Sequence, residues 1–303
     1  MFGKLYVVST PIGNCEDITY RAKRILAEAD IIAAEDTRIT QKLLKLLGIQ
    51  SKLVSNHKFN EKRQADYLIS ELLQGRNVAI VSDAGTPCIS DPGHMIVKSA
   101  AAKGIDVVGV CGASSVITAL SISGFNFVSF AFYGFFPRES SEIKKIIQSV
   151  KNSDISVSVF FESPKRIEKL LRVIVEEFPD SEICLCNDLT KMYERVYRGS
   201  PQKALEEIEE NPSAEKGEYT LVMHNIVKPR FAAADTSGSC ESMLVDHIVK
   251  SGGSIKDAIR TLHEDHKGQI SKKEFYTAAL NLKALMSRLL STDTIESFGG
   301  EQC

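Results

Sequence analysis

Short apolar runs alternate with amphipathic stretches along the first 125 residues of the chain. LYVVS (5–9), IIAA (31–34), VAIVS (78–82) and DVVGV (106–110) carry the near-continuous apolar pattern of strands buried on both faces. Between them apolar residues recur at helical spacing: Ile18, Ala22, Ile25, Leu26 and Ala29, then Leu43, Leu44, Leu46 and Leu47, then Ala65, Leu68, Ile69, Leu72 and Leu73. Asp17 is expected to open the first of these helices and Thr37 or Thr40 to cap the second, with Gly48 and Gly75 as stops. Helices around 94–103 and 114–123 complete a β-α alternation. It predicts an α/β fold with a mostly parallel sheet covered on both faces.

The aromatic-rich segment FNFVSFAFYGFFPR (125–138) interrupts that pattern and reads as an interdomain connector. A second α/β block follows, with helices over 139–151 and 164–178 and strands over 157–161, 182–187, 192–198 and 218–224. The run EEIEE (206–210) reads as a solvated helix face. Residues 230–240 are mostly small and polar, a linker, and 241–287 read as a small helical unit; the last dozen residues are expected to be mobile. The expected domains are therefore 1–124 and 125–229, both α/β, and a helical C-terminal unit over 241–287.

Composition narrows the class. The 303 residues carry a net charge of −2, which gives no global sign of nucleic-acid binding but leaves a local basic surface open. No apolar run approaches the roughly 20 residues that span a bilayer, so no membrane association is expected. MFGKLYVVSTPIG at the start reads as a strand entering a loop, not a signal peptide. Seven cysteines lack metal spacing and fit reduced thiols in a cytoplasm; Cys184 and Cys186, two apart in a strand, share one face.

Candidate chemistry concentrates where strands end. Open α/β sheets bind ligands beyond the carboxyl ends of their strands. Four irregular loops fall there: Thr10 to Asn14, Glu35 to Arg38, Asp83 to Gly93, and Cys111 to Ser115. Each alone could be a turn whose glycines and prolines serve only the backbone, but four at one sheet edge argue for a site. The first strand-helix junction lacks G-x-G-x-x-G, and the chain contains no G-x-x-x-x-G-K-[ST], no H-E-x-x-H and no G-x-S-x-G. A dinucleotide, a nucleoside triphosphate cradle, a zinc site and a serine nucleophile are thereby disfavoured. No metal is expected.

The stretches VVSTPIGNCEDIT (7–19), IIAAEDTR (31–38), SDAGTPCISDPG (82–93), YGFFPR (133–138), FFESPKRI (160–167), DLTK (188–191) and KGEYTLVM (216–223) together resemble one family, the small-subunit ribosomal RNA methyltransferases I, within the tetrapyrrole (corrin/porphyrin) methylases. The resemblance spans roughly residues 4 to 225 and, more weakly, KKEFYTAAL (272–280). It implies two α/β domains of tetrapyrrole-methylase type with S-adenosylmethionine, the methyl donor, in the cleft between them. It also implies a homodimer and methylation of a cytidine ribose 2′-hydroxyl in the decoding region of small ribosomal subunit RNA. Carried over residue by residue, the donor contacts are Pro11, Ile12 and Gly13, then Asp83, Gly85, Thr86 and Ile89, then Ser114 and Ser115, with Phe161, Asn187, Leu189 and Thr220 from the second block. The chain departs from the family at three places. Cys111-Gly112-Ala113 replaces a Pro-Gly-Pro turn, Asn187-Asp188 replaces Arg-Glu, and Lys165 replaces a His.

A ribose hydroxyl is far from ionised at neutral pH, so transfer to it needs a base or a nearby cation. Glu35 and Asp36, directly before Arg38, are candidates, as are His57 (with Asn60 and Glu61) and Lys191; Glu162 is a further candidate, as base or for orienting substrate. RNA contact is expected from Lys58, Lys62, Arg63, Lys165, Arg166, Lys272 and Lys273, with Phe275 and Tyr276 able to stack on unpaired bases. Two other readings share the donor loops: a small-molecule tetrapyrrole methyltransferase, and a non-catalytic donor-binding module.

Overall fold

The computed structural model describes residues 2–225, 239–266 and 270–291, with side chains through 287. The linker expected at 230–240 lies almost wholly outside the described residues, as does the last dozen. Two compact units result, 1–227 and 228–303.

The first unit contains two five-stranded sheets. One is built from β1 (Leu5–Val8), β2 (Ile31–Ala34), β3 (Lys52–Ser55), β4 (Val78–Val81) and β5 (Val107–Val110), in the order β3-β2-β4-β1-β5. Every pairing in it is parallel. β2 and β4 are buried at all four positions, as a sheet covered on both faces requires. α3 (Glu61–Leu73) and α4 (His94–Ala102) pack on the face bearing Ile31, Ala33, Val78 and Ile80. α1 (Tyr20–Glu28) and α2 (Thr37–Leu47) pack on the other, with Ile32, Ala34, Ala79 and Val81. The chain thus leaves β1 toward one face and its neighbour β4 toward the other. That reversal opens a crevice at the carboxyl ends of these two strands.

Local departures from expectation have physical causes. Strand β3 is the half-exposed edge of the sheet, too weakly patterned to stand out in the sequence. Asp17 ends a single 3-10 turn, Cys15–Asp17, and the first helix starts at Tyr20 because the Thr19 hydroxyl accepts from the Ala22 amide. The cap of α2 is Asp36, neither Thr37 nor Thr40: its carboxylate accepts from the Arg38 amide, and Thr37 and Thr40 lie inside the helix. Gly48 closes α2 in the left-handed conformation, φ 72°.

The second sheet, β6-β7-β10-β8-β9, is mixed. β6 (Phe130–Phe135) runs parallel to β7 (Val157–Glu162), whereas β10 (Tyr219–His224) is antiparallel to both β7 and β8 (Glu182–Asn187), and β9 (Arg195–Gly199) is antiparallel to β8. The aromatic segment read as a connector therefore ends as an edge strand. Its alternating aromatics split between the two faces, Phe132 with one core cluster and Tyr133 with the other. One face packs on α6 (Ser140–Asn152), α7 (Ile167–Glu177) and α8 (Pro201–Glu209), where Ile208 turns inward from the acidic run. The opposite face, with Val157, Val159, Cys184, Cys186 and Val222, packs on α5 (Ser115–Ile122) and on Ile12 and Leu189. Cys184 and Cys186 share that face, their sulfurs 3.9 Å apart.

The second unit is three helices, α9 (Cys240–Ser251), α10 (Ile255–Asp265) and α11 (Lys272–Ser291), around Leu244, Ile259 and Phe275. Phe275 is fully buried, so it holds this core together and cannot stack on a base; Tyr276 is half exposed.

Candidate functional site

The crevice between β1 and β4 is stitched across by the loops that follow them. The Thr10 amide donates to the Gly85 carbonyl (2.9 Å) and the Gly85 amide returns to the Thr10 carbonyl (3.1 Å). Ser9 and Thr86 hydroxyls meet at 2.9 Å, and Thr86 also donates to the Ala113 carbonyl. Three of the four strand-end loops are thereby tied together by backbone and hydroxyl hydrogen bonds. Gly85 sits at φ 77°, where a side chain is strained, and a Cβ there would lie 3.3 Å from Ile12.

Beyond these loops lies a cavity of about 490 Å³, walled by both sheets. From the parallel sheet come Ile12, Glu35, Asp83, Gly85, Thr86, Ile89, Asp91 and the start of α5 at Ser114 and Ser115. From the mixed sheet come Phe161 and Thr220, register partners on β7 and β10, with Glu162, Leu189 and Glu218. A smaller cavity of about 270 Å³ takes in Pro11, Gly13 and Lys191 and shares Ile12, Asp83 and Glu218 with the first. Ten of the thirteen residues expected at the donor site line the larger cavity, and Pro11 and Gly13 line the smaller. Asn187 lines neither: it is buried, and its amide donates to the Lys216 and Glu218 carbonyls.

The wall from the mixed sheet is anchored tightly. Asp188 (φ 53°) and Thr190 (φ 67°) both hold left-handed backbone on either side of Leu189, a costly state for a β-branched threonine. It is fixed by the Asn14 amide donating to the Thr190 hydroxyl and the Thr190 amide donating to Glu194. Lys191 is gripped by Asp188 (2.7 Å) and Glu218 (3.0 Å), whose charges hold its ammonium above the usual range despite burial. Gly13 packs so closely on this turn that a Cβ would lie 2.5 Å from Lys191 Cγ and 2.9 Å from the Leu189 carbonyl oxygen. Glu162, almost fully buried, is paired with Arg166 at 2.6 Å, and Arg166 also donates to the Phe136 and Pro137 carbonyls. Arg166 is thus committed inside the fold and is not a free cation for RNA.

Of the candidate acid-base groups, Glu35 and Glu162 line the larger cavity, and Glu162 is already paired with Arg166. Burial pushes the Glu35 carboxyl above the ordinary value, and the neighbouring Asp91 and Asp83 push it further. Asp83 and Asp91 are raised too, each chiefly by burial. Asp36, next in sequence, is in the opposite state. The Arg38 guanidinium donates to both its oxygens, at 3.0 and 2.6 Å, and these hydrogen bonds hold it down to about 2. Arg38 is otherwise exposed, and His57 lies on the turn after β3 outside both cavities. Adjacent carboxylates thus differ because one ends a strand facing the cavity and the other caps a helix. Asp91, Phe135, Ser163 and Glu218 also stand in the wall; none is singled out from the sequence, although all four lie in the stretches that carry the family resemblance. Among the described residues no cluster of His, Cys, Asp and Glu has metal-binding geometry, and no helix is long and apolar enough to cross a membrane.

Comparison with known proteins agrees with this architecture. Residues 4–204 match the tetrapyrrole (corrin/porphyrin) methylases. The chain is 38% identical over 277 residues to the ribosomal RNA small subunit methyltransferase I of Halalkalibacterium halodurans, covering 90% of this chain and 93% of that protein. The Bacillus subtilis protein of the same name is also 38% identical, over 91% of this chain and 94% of its own length. In fold, the uroporphyrin-III C-methyltransferase of Thermus thermophilus superposes with a TM-score of 0.51 at 21% identity, over 74% of this chain and 96% of that one.

Proposed function

Because this chain belongs to the tetrapyrrole methylase family, in its ribosomal RNA small subunit methyltransferase I branch, we propose that it transfers a methyl group from S-adenosylmethionine to the 2′-hydroxyl of a cytidine ribose in small-subunit ribosomal RNA. What supports the reading is the convergence, on one cavity, of ten donor-site residues from both sheets with the carboxylate Glu35. The relatives' names supply the RNA substrate; the cytidine and its 2′-oxygen come from the sequence resemblance.

The residues present suit the donor. A cavity of about 490 Å³ lies within the range of small-molecule sites. Its wall holds Glu35, Asp83 and Asp91, none in an ion pair among the described residues, an acidic lining that favours a molecule bearing a sulfonium and an ammonium. Gly85 and Gly13 let backbone approach where a side chain would intrude. When bound, the donor supplies a methyl group activated by its sulfonium.

The chain's own part is to hold the two reactants in line and to take a proton. Positioning on this scale supplies a large share of the acceleration. Glu35 is the base in this reading: half-buried, exposed to the cavity, and raised above an ordinary carboxylate by burial and by Asp91 and Asp83. Asp36 orients Arg38 and caps α2, and at about 2 its carboxylate is too weak a base to compete. Lys191, held by two carboxylates, braces the Gly13 loop. The reading places the enzyme in the cytoplasm with the ribosome, and as a homodimer.

The test is transfer of labelled methyl from S-adenosylmethionine to small subunits lacking the modification, followed by digestion to nucleosides. Label in 2′-O-methylcytidine is the expected result. Label in a base, or in no nucleoside, overturns the proposal.

A further inference from the structure

The turn joining β3 to α3 holds a phenylalanine in water on a rigid support. Phe59 is 95% exposed, and among the described residues the one ring beside it is that of His57, edge-on at 6.0 Å between centroids. Exposure of a large aromatic on a floppy loop would be unremarkable, but this loop is tied. The Asn60 side chain accepts from the His57 amide (2.8 Å) and donates to the Ser55 carbonyl (3.1 Å), while the Asn60 amide closes the turn onto the His57 carbonyl. The next residue, Glu61, is buried, and one of its oxygens accepts from the Gly93 and Met95 amides at the start of α4 and faces His94 Nδ1. It supplies the cap that Gly93 cannot. The turn is therefore braced against the last residue of the 83–93 loop, whose earlier residues wall the cavity.

The surroundings of Phe59 are cationic and unpaired. Lys58, Lys62 and Arg63 are exposed, and none makes an ion pair among the described residues. At the base of the turn two buried polar atoms, Asn56 Oδ1 and His57 Nδ1, have no hydrogen-bond partner among the described residues. Asn56 itself is almost fully buried, and its amide donates to the Ala34 carbonyl, one residue before Glu35. A rigid aromatic face and three free cations beside the strand that leads into Glu35 match a polyanion with planar groups. Single-stranded RNA has that chemistry.

We propose that the Asn56–Arg63 turn is an RNA-holding platform, in which Phe59 stacks on an unpaired base beside the target nucleotide and Lys58, Lys62 and Arg63 hold the adjoining phosphates. This rests on the RNA-methylation reading above. The platform fixes the substrate strand relative to the donor loop through Glu61, so it acts on substrate affinity and leaves the chemical step to the cavity.

The experiment compares Phe59→Ala, Phe59→Leu and Phe59→Trp in methyl transfer to unmethylated small subunits, with donor affinity measured by calorimetry and mass by sedimentation. Stacking predicts a KM for subunits raised roughly tenfold or more in Phe59→Ala, a similar rise in Phe59→Leu, and recovery in Phe59→Trp. Donor affinity and kcat stay near those of the parent. An unchanged KM in Phe59→Ala overturns the platform while leaving the RNA reading intact. If Phe59→Leu recovers as well as Phe59→Trp, the contact is merely apolar and the stacking is refuted. A fall in mass for Phe59→Ala shows the face to be a contact between copies of the chain, which also overturns it. Absence of any RNA labelling by the parent protein removes both readings together, and is thereby distinguished from failure of the platform alone.

Discussion

The two sheets build opposite walls of one cavity by different means. The parallel sheet contributes strand ends and loops, where Glu35, Asp83 and Asp91 stand half-buried with raised carboxyls and few partners. The mixed sheet contributes strand faces and one strained turn, and its charged groups are already spent on one another: Glu162 on Arg166, Lys191 on Asp188 and Glu218. Charge left unsatisfied is available for chemistry, whereas charge paired at 2.6–3.0 Å fixes shape. The comparison teaches that proximity to the cavity does not by itself make a residue reactive. The state of its partners decides.

The sharpest way to break that contrast is at Glu35. Glu35→Gln keeps the side chain's shape and removes the base, so kcat should fall by roughly 10²–10⁴ while calorimetric donor affinity stays within a few fold. Asp36→Ala should cost far less in kcat, because its carboxylate serves the cap and Arg38. If the two variants lose equal activity, the assignment of roles fails. On the mixed-sheet side the expected loss is of stability. Arg166→Met strands Glu162 in a nearly sealed position and removes a donor from two carbonyls, for about 3 kcal/mol in urea denaturation. Adding Glu162→Gln should recover part of it; no recovery would mean that the carbonyls, not the charge, need Arg166. Smaller again is Gly13→Ala, where the new methyl meets the Leu189 carbonyl and Lys191. About 1–2 kcal/mol of overpacking is expected, with weaker donor binding as the strained turn gives way.

How much of this was legible in the sequence also differs between the walls. The strand-end loops announced themselves, because a buried apolar run that breaks into Gly, Pro and Asp has few structural reasons to do so. The parallel sheet followed from β-α alternation, except for β3, whose half-exposed Lys-Leu-Val-Ser pattern is that of an edge strand. The mixed sheet was harder. Its edge strand β6 hid in an aromatic run, since Phe and Tyr on both faces erase the period of two that marks a half-buried strand. Side-chain roles were least legible. Nothing in EDTR says that Asp36 is a cap and Glu35 is not, since that depends on where β2 stops and α2 begins. Arg166 and Phe275 looked available for RNA because a lone cation or aromatic reads as exposed until its partners are known.

The smallest effect tests the unpaired wall directly, through pH. Asp91 is raised by burial and by Asp83, against a hydrogen bond from Ser82 that lowers it, and Glu35 is raised in part by Asp91. A carboxyl whose pKa is higher in the folded state than in the unfolded chain binds more protons when folded. The folded state therefore loses stability as pH rises from the ordinary values, 3.8 for Asp and 4.5 for Glu, through the raised ones. Asp91→Asn removes one such group and relieves its neighbours. The variant's Tm should accordingly exceed the parent's at pH 7, with the gap closing toward pH 4. The kcat profile should move as well: with Asp91 gone, Glu35 ionises at lower pH, and the acid limb of activity shifts down. The two shifts must appear together, because both report the same like-charge crowding. A Tm gain with an unmoved acid limb would place the catalytic titration elsewhere than Glu35.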